Sequence, residues 1–178
     1  MRSLRFAFVL LLLLSLPLLA PAAPSNHPKI LIIYDMEGVS CVTHYEMLWV
    51  ERPEEYAKGR ECLTSDVNAA VRGLADGGAG SIWIQDGHGS GNSKEPDFLV
   101  DKIDPHAKFD FRDHDFDPYN TGIDASVDAI ICIDMHAHAD TNGFMAHTVT
   151  DRISYRINGV EFTETHIVAL SAARGHRQ

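Results

Sequence analysis

Three short apolar runs decide what this chain can fold into. Lys29 to Tyr34, Ser81 to Gln85 and Asp128 to Ile133 are rich in β-branched residues and too short for helices. Such runs suit strands buried on both faces, which occur where helices cover a parallel sheet. Between the first two, Pro53 to Ala75 changes to a helical period. Cys62, Leu63, Val67, Ala70, Val71 and Leu74 form an apolar stripe, Pro53 fits the first helical position, and Glu54 and Glu55 favour the first turn. Gly77 and Gly78 stop the helix. Strand, helix, strand at these lengths is a βαβ unit, so the expected fold is α/β, a mainly parallel sheet flanked by helices. A short segment near Phe98 to Ile103 and an extended stretch near Lys108 to Phe111 precede the third strand. Beyond it, Thr148 to Ile157 alternates as a strand, Asn158-Gly159 is a hairpin turn, and Val160 to Phe162 returns antiparallel. A last amphipathic helix is expected from near Glu164 toward Ala173.

The three runs end alike, in residues of metal-ligand type two positions apart: Asp35 and Glu37, Asp86 and His88, Asp134 and His136. In extended backbone, residues i and i+2 point to one side. Parallel strands gather these ends at the carboxyl edge of the sheet, where open α/β proteins hold ligands. A single Asp after a strand more often serves a turn or a cap, and a single His is more often hydrogen-bonded than metal-bound. Three pairs at corresponding ends point instead to a metal site. Imidazoles and carboxylates without cysteine suit catalytic zinc, with manganese, cobalt or nickel chemically compatible.

The N-terminus bears on compartment. Arg2 and Arg5 precede an apolar run from Phe6 to Leu19 and the stretch Ala20-Pro21-Ala22-Ala23, the pattern of a secretory signal peptide cleaved after Ala22. The run is shorter than the roughly 20 residues a spanning helix needs. Residues 1–22 are therefore expected to be a signal peptide, and 23–178 one secreted or periplasmic domain with no membrane contact after cleavage. The net charge of −10, or −12 without the two arginines, disfavours nucleic acid or anionic lipid as a partner and tolerates a free amine. Cys41, Cys62 and Cys132 cannot all pair within one chain. Export would permit a Cys41–Cys62 disulfide, but the odd number and the spacing fit no familiar framework, so three small buried residues are expected.

The segment Tyr34-Asp35-Met36-Glu37-Gly38-Val39-Ser40, the His88 turn, Met135-His136-Ala137, Met145-Ala146-His147 and the Ile157-Asn158-Gly159 hairpin followed by Glu164 form an ordered set. In order and approximate spacing they resemble the D-aminopeptidase family of co-catalytic zinc peptidases, from about Lys29 to the C-terminus. Asp-Met-Glu-Gly and the His136-to-His147 spacing are the most specific parts. The resemblance implies metal ligands at Asp35, Glu37, His88, His136 and Glu164, with Asp35 bridging two divalent ions, zinc first among them. Glu164 enters through the resemblance alone; by itself it reads as a glutamate favoured at a helix start. The resemblance also implies a catalytic His147. It is the family's nucleophile, but a neutral imidazole acting as general acid or oxyanion donor is equally reasonable chemistry, and its role stays open.

Two such cations acidify a water, polarise a scissile carbonyl and clamp the attacking and leaving oxygens. The implied function is an exported metal-dependent aminopeptidase that releases N-terminal D-amino acids from short peptides, working as a homo-oligomeric ring. Relatives run on for roughly another hundred residues, the scale of a small domain, so the catalytic domain is expected to be shortened at its C-terminus. Two other readings compete. A metal-dependent phosphoesterase would use the same strand ends, but no Lys or Arg cluster accompanies them. A non-catalytic metal-binding or interaction domain would keep the ligands without the walls for turnover. His138 is expected beside the site or at the surface, and the Arg112-Asp113-His114-Asp115-Phe116-Asp117 stretch is expected to be a solvated loop.

Overall fold

The computed structural model describes residues 27–91, 95–111, 117, 119, 121–150 and 153–175. The expected signal peptide and the 112–116 loop lie outside the described residues. Strands β1 (Lys29–Tyr34), β2 (Ser81–Asp86), β3 (Ala107–Phe109) and β4 (Ala129–Ile133) form one sheet in the order β3-β2-β1-β4. All its pairings are parallel, with Ile32 between Ile84 and Ile131. The most apolar run takes the centre, where both neighbours cover it: Ile32, Ile33 and Tyr34 are fully buried.

Helix α1 (Pro53–Asp76) connects β1 to β2 and buries Tyr56, Gly59, Leu63, Thr64, Val67 and Val71, spaced by three or four with one adjacent pair. This face packs on Ile32, Tyr34, Ile82 and Ile84. Leu63, Val67 and Val71 are each 0% exposed. Each contributes about 1.5–3 kcal/mol relative to an exposed side chain, so Val67→Asp should dismantle the layer. The opposite face of the sheet, with Leu31 and Ile33, is covered by Val127 and by Val168 of helix α2 (Glu164–Gly175). The sheet therefore has a helix on each side, as expected for buried parallel strands.

Strands β5 (Tyr155–Ile157) and β6 (Val160–Phe162) pair antiparallel across Asn158 and Gly159, both at positive φ, as such a turn requires. Two expectations are corrected. The alternating stretch from Thr148 does not run as one strand: only Tyr155–Ile157 does, and Thr148 and Thr150 form an isolated bridge. The Thr150 N–H donates to the Thr148 carbonyl at 2.7 Å across Val149 at φ 63°, a γ-turn of the strained hand. The second concerns the cysteines. Cys41 and Cys62 form a disulfide, with Cα atoms 6.0 Å apart, and tie the loop after β1 to α1; Cys132 is free. Spacing along the chain did not reveal the pair because the crossover helix, rather than a local loop, brings the two together. Among the described residues no helix is long and apolar enough to cross a membrane.

Candidate metal centre

The carboxyl ends of the strands carry the site. Backbone bonding continues past the strands and fixes their exits: the Asp35 N–H donates to the Ile133 carbonyl at 3.1 Å and the Gly87 N–H to the Tyr34 carbonyl at 2.8 Å. The loop after β1 then lies against the loop after β4, with the Gly38 N–H 2.8 Å from the Asp134 carbonyl. A Cβ on Gly38 would stand 2.3 Å from the Met135 carbonyl oxygen, so only glycine permits this approach. That approach brings Glu37 beside His136.

Three overlapping groups of donors result: Asp35, Glu37 and His88; Asp35, His136 and Glu164; Glu37, His136 and His147. All five ligands expected from the sequence, and His147, are present. Asp35 faces both imidazoles with different oxygens: Oδ1 lies 3.3 Å from His88 Nδ1, and Oδ2 lies 3.5 Å from His136 Nε2. Glu37 Oε2 is 3.2 Å from His88 Nδ1, and Glu164 Oε2 is 3.2 Å from His136 Nε2. Asp35, Glu37 and Glu164 are 3%, 8% and 4% exposed.

Each imidazole is set by a backbone carbonyl. His88 Nε2 lies 3.0 Å from the Leu48 carbonyl, His136 Nδ1 is 2.8 Å from the Ala137 carbonyl, and His147 Nδ1 is 2.7 Å from the Met145 carbonyl. A ring N–H donating at each contact leaves the other nitrogen with its lone pair toward the centre, the usual outer support of a metal-bound histidine. His136 Nε2 is buried and makes no hydrogen bond among the described residues, although two carboxylate oxygens lie close.

These distances test whether the residues fit a cation. A tetrahedral ion with bonds of about 2.0–2.1 Å holds its ligand atoms about 3.3 Å apart. The four nitrogen-to-oxygen separations run from 3.2 to 3.5 Å. Donor atoms at these separations, with His136 Nε2 lacking any hydrogen bond among the described residues and an uncompensated buried charge being costly, fit a divalent ion.

The charges tell the same story in the metal-free protein. Burial, with Glu37 alongside, holds the Asp35 carboxyl well above the ordinary carboxylate range, despite His88. Burial opposes ionisation of Glu37 as well, but His88 and Asp35 bring its carboxyl well below that range. Burial disfavours protonated His88, yet Asp35 and Glu37 raise it well above the ordinary imidazole value. Against the same penalty, Glu164, the Ala137 carbonyl and Asp35 raise His136 to about 9. Without metal, protons on the imidazoles take the place of the cations.

Not every expected donor joins. Asp86 Oδ1 accepts the His88 and Gly89 N–H groups at 2.9 and 2.8 Å, which makes it the cap of the turn. Asp134 sits at φ 58° outside the three groups, and burial and Asp66 raise its carboxyl to about 7. Residues i and i+2 share a side only while the backbone stays extended, and β2 and β4 both turn immediately after their last residue. His138 lies outside the groups too, with Nδ1 2.7 Å from the Ala139 carbonyl and 3.3 Å from Glu161.

Sequence reasoning missed the backbone groups. The Val149 N–H donates to Glu164 Oε1 at 2.6 Å, so the strained γ-turn grips one of the donors. Burial would raise the Glu164 carboxyl, but His136 and this amide hold it below the ordinary range. No side-chain signal marks such an amide. The stacking of His147 on His136, with ring centroids 3.9 Å apart, was equally invisible, although the eleven-residue spacing hinted at a relation.

A parallel sheet that gathers imidazoles and carboxylates into overlapping buried groups at its carboxyl edge places the domain among α/β metalloproteins. Comparison with known proteins narrows this: the family model for D-aminopeptidase, the M55 peptidases, matches residues 29–176, and the chain belongs to that family. A D-aminopeptidase of Bacillus subtilis (strain 168) is 26% identical over 123 residues, covering 68% of this chain and 42% of the relative. The solved structure of the zinc-dependent D-aminopeptidase DppA from Bacillus subtilis, described as a self-compartmentalizing protease, superposes with a TM-score of 0.71 at 24% identity. It covers 83% of this chain and 52% of that one. The chain thus spans about half the length, or less, of these relatives.

Proposed function

We propose that this chain is the catalytic part of an exported zinc aminopeptidase that holds two cations and releases N-terminal residues, D-amino acids foremost, from short peptides. The observation that carries the reading is Asp35, which places one oxygen in each of two buried donor groups. Asp35, Glu37 and His88 would hold one ion, and Asp35, His136 and Glu164 the other. When bound, the pair supplies Lewis acidity toward the scissile carbonyl and toward a water. Neither Lys nor Arg pairs with Asp35, Glu37 or Glu164 among the described residues, which disfavours a phosphate ester as the substrate.

His147 does the proton work. Its Nδ1–H is committed to the Met145 carbonyl, so Nε2 is left to accept a proton or, once protonated, to donate one to the departing amine. Stacking on His136 keeps that nitrogen beside the reacting centre. Preference for D-residues and assembly with further copies are supported by the names of the relatives. Export is supported by the apolar N-terminus and by the Cys41–Cys62 disulfide, a bond of oxidising compartments.

The test is a metal titration joined to a peptide assay on the same purified protein. Two equivalents of zinc and release of D-alanine from a D-Ala peptide faster than L-alanine from its mirror image are expected. Fewer than two bound ions, or a fully loaded, folded protein without amidase activity on either peptide, would refute it.

A further inference from the structure

The His88 turn is held from behind by Asp97, a buried acid outside the three donor groups. Asp97 is 0% exposed, yet lies in a short segment between the turn and the sheet edge. Its Oδ1 accepts the Tyr56 hydroxyl and, at 2.9 Å, the Gly91 N–H. Tyr56 is 3% exposed and belongs to helix α1. One carboxyl oxygen thus ties the far end of the 86–91 turn to the helix that crosses behind the sheet.

The near end of the turn is fixed by Asp86, which caps His88 and Gly89. The packing at the far end leaves no slack: a Cβ on Gly91 would stand 2.6 Å from the Glu95 carbonyl oxygen and 2.8 Å from the Asp97 nitrogen. Asp97 is itself immobile, because Arg60 reaches the carbonyls of Pro96, Asp97 and Phe98 at 2.9, 3.1 and 3.2 Å. Thr64 accepts the Leu99 N–H at 2.9 Å just beyond. The segment is stapled to α1 at several points, and the Asp97 side chain connects that staple to the His88 turn.

We infer that Asp97, with Tyr56, is a positioning pair for His88: it holds the turn in the one arrangement that aims Nδ1 at Asp35 and Glu37 while Nε2 rests on the Leu48 carbonyl. The inference deepens the proposed function and rests on its metal site. What the carboxyl contributes here is one oxygen that receives both the Tyr56 hydroxyl and the Gly91 N–H. An amide of the same shape can therefore do the work. Asparagine presents one oxygen to both the hydroxyl and the N–H; alanine presents none and leaves two donors unmatched.

The test uses the full chain, in metal-free and zinc-loaded form. Asp97→Ala should weaken zinc binding about 10- to 100-fold, the scale for outer supports of a metal ligand, as measured by chelator competition. Asp97→Asn should stay within about 3-fold of the parent on the same scale. Thr64→Val removes one bond between the same segment and α1 without touching the turn; it should lower the melting temperature and leave zinc affinity in place. In a His88→Ala background, Asp97→Ala should weaken zinc binding no further, since the two act as one unit. Should Asp97→Ala fail to fold, Tyr56→Phe decides, with a several-fold loss of zinc affinity expected. In metal-free protein, amide exchange at Gly89 to Gly91 should quicken in Asp97→Ala and not in Asp97→Asn.

Unchanged zinc affinity in folded Asp97→Ala, or in Tyr56→Phe where the alanine variant does not fold, overturns the inference. So does an equal affinity loss in Thr64→Val. If the parent binds no zinc, the metal reading fails by itself, and the exchange measurement still reports whether Asp97 holds the turn: unaltered exchange overturns the anchoring too.

Discussion

Asp35→Asn is the sharpest probe of the shared carboxylate. The substitution keeps the shape but leaves one oxygen where there were two, so an amide NH₂ must face either the His88 side or the His136 side. It also removes a full charge from a position common to both donor groups. A unit charge pair 4 Å apart is worth about 4 kcal/mol at an effective dielectric near 20. Each cation carries two charges, so the loss is at least about 4 kcal/mol per site, or close to 10³-fold in affinity. Dialysis against micromolar zinc followed by elemental analysis should find fewer than one equivalent in Asp35→Asn and two in both the parent and His138→Ala. The metal-free variant should melt no lower than the metal-free parent, because burial already penalises the ionised Asp35 carboxyl. Equal metal content in the Asp35 and His138 variants, or a large drop in the melting temperature of the metal-free Asp35 variant, would refute the reasoning.

His147→Ala should keep both ions and lose roughly 10²-fold or more in turnover, the usual scale for one proton-transfer or oxyanion group; His136→Ala should lose metal first, and a metal-replete, fully active His147→Ala would count against the assignment. Zinc must displace protons from His88 and His136, whose values lie above the ordinary imidazole range without metal. Calorimetry in buffers of different ionisation enthalpy should therefore show release of at least about two protons near pH 7. The His136 proton stabilises the metal-free fold fully below its unfolded value of about 6.5, and that contribution fades as pH rises through about 9. The zinc-induced rise in melting temperature should accordingly grow from about pH 6 to about pH 8, and a rise that shrinks over this range would contradict the assignment. Replacing Cys41 and Cys62 by alanine, or reducing the pair, should cost about 3 kcal/mol, the value expected for a loop of this length, read as a lower denaturant midpoint.

How much of this was legible follows from what kind of signal each part leaves. Periodicity placed β1, α1, β2 and β4 to within a residue or so, because burial on both faces of a sheet and on one face of a helix demands particular side chains. Strand-end logic singled out Asp35, Glu37, His88 and His136, which the structure brings together in the donor groups, since chemistry at the carboxyl edge must come from the residues just after each strand. It overreached at Asp86 and Asp134, where the chain turns and the extended geometry ends. Glu164 left no trace of its own in the pattern, being one more acidic residue at a helix start. Val149, Leu48 and Ala137 act through backbone atoms, which any residue supplies, so no sequence pattern marks them. Asp97 carries no signal in the sequence, because its burial depends on Tyr56 and Arg60, which are about forty residues away.

The two halves of the site are unequal in how they are anchored. Asp35, Glu37 and His88 sit on the two central strands and their exits, beside the best-packed layer. Glu164 sits at the first residue of α2, whose only buried residues are Glu164 and Val168. Brief local opening of so lightly seated a helix costs less than unfolding the sheet. Each such event would carry Glu164 away from His136 and leave the other group assembled. On the two-ion site proposed above, exchange with solvent should therefore be biphasic, with the ion beside Glu164 leaving on the schedule of helix fraying and the one beside His88 more slowly. A chelator would then strip the enzyme through a half-loaded state, its lifetime set by the gap between those two clocks.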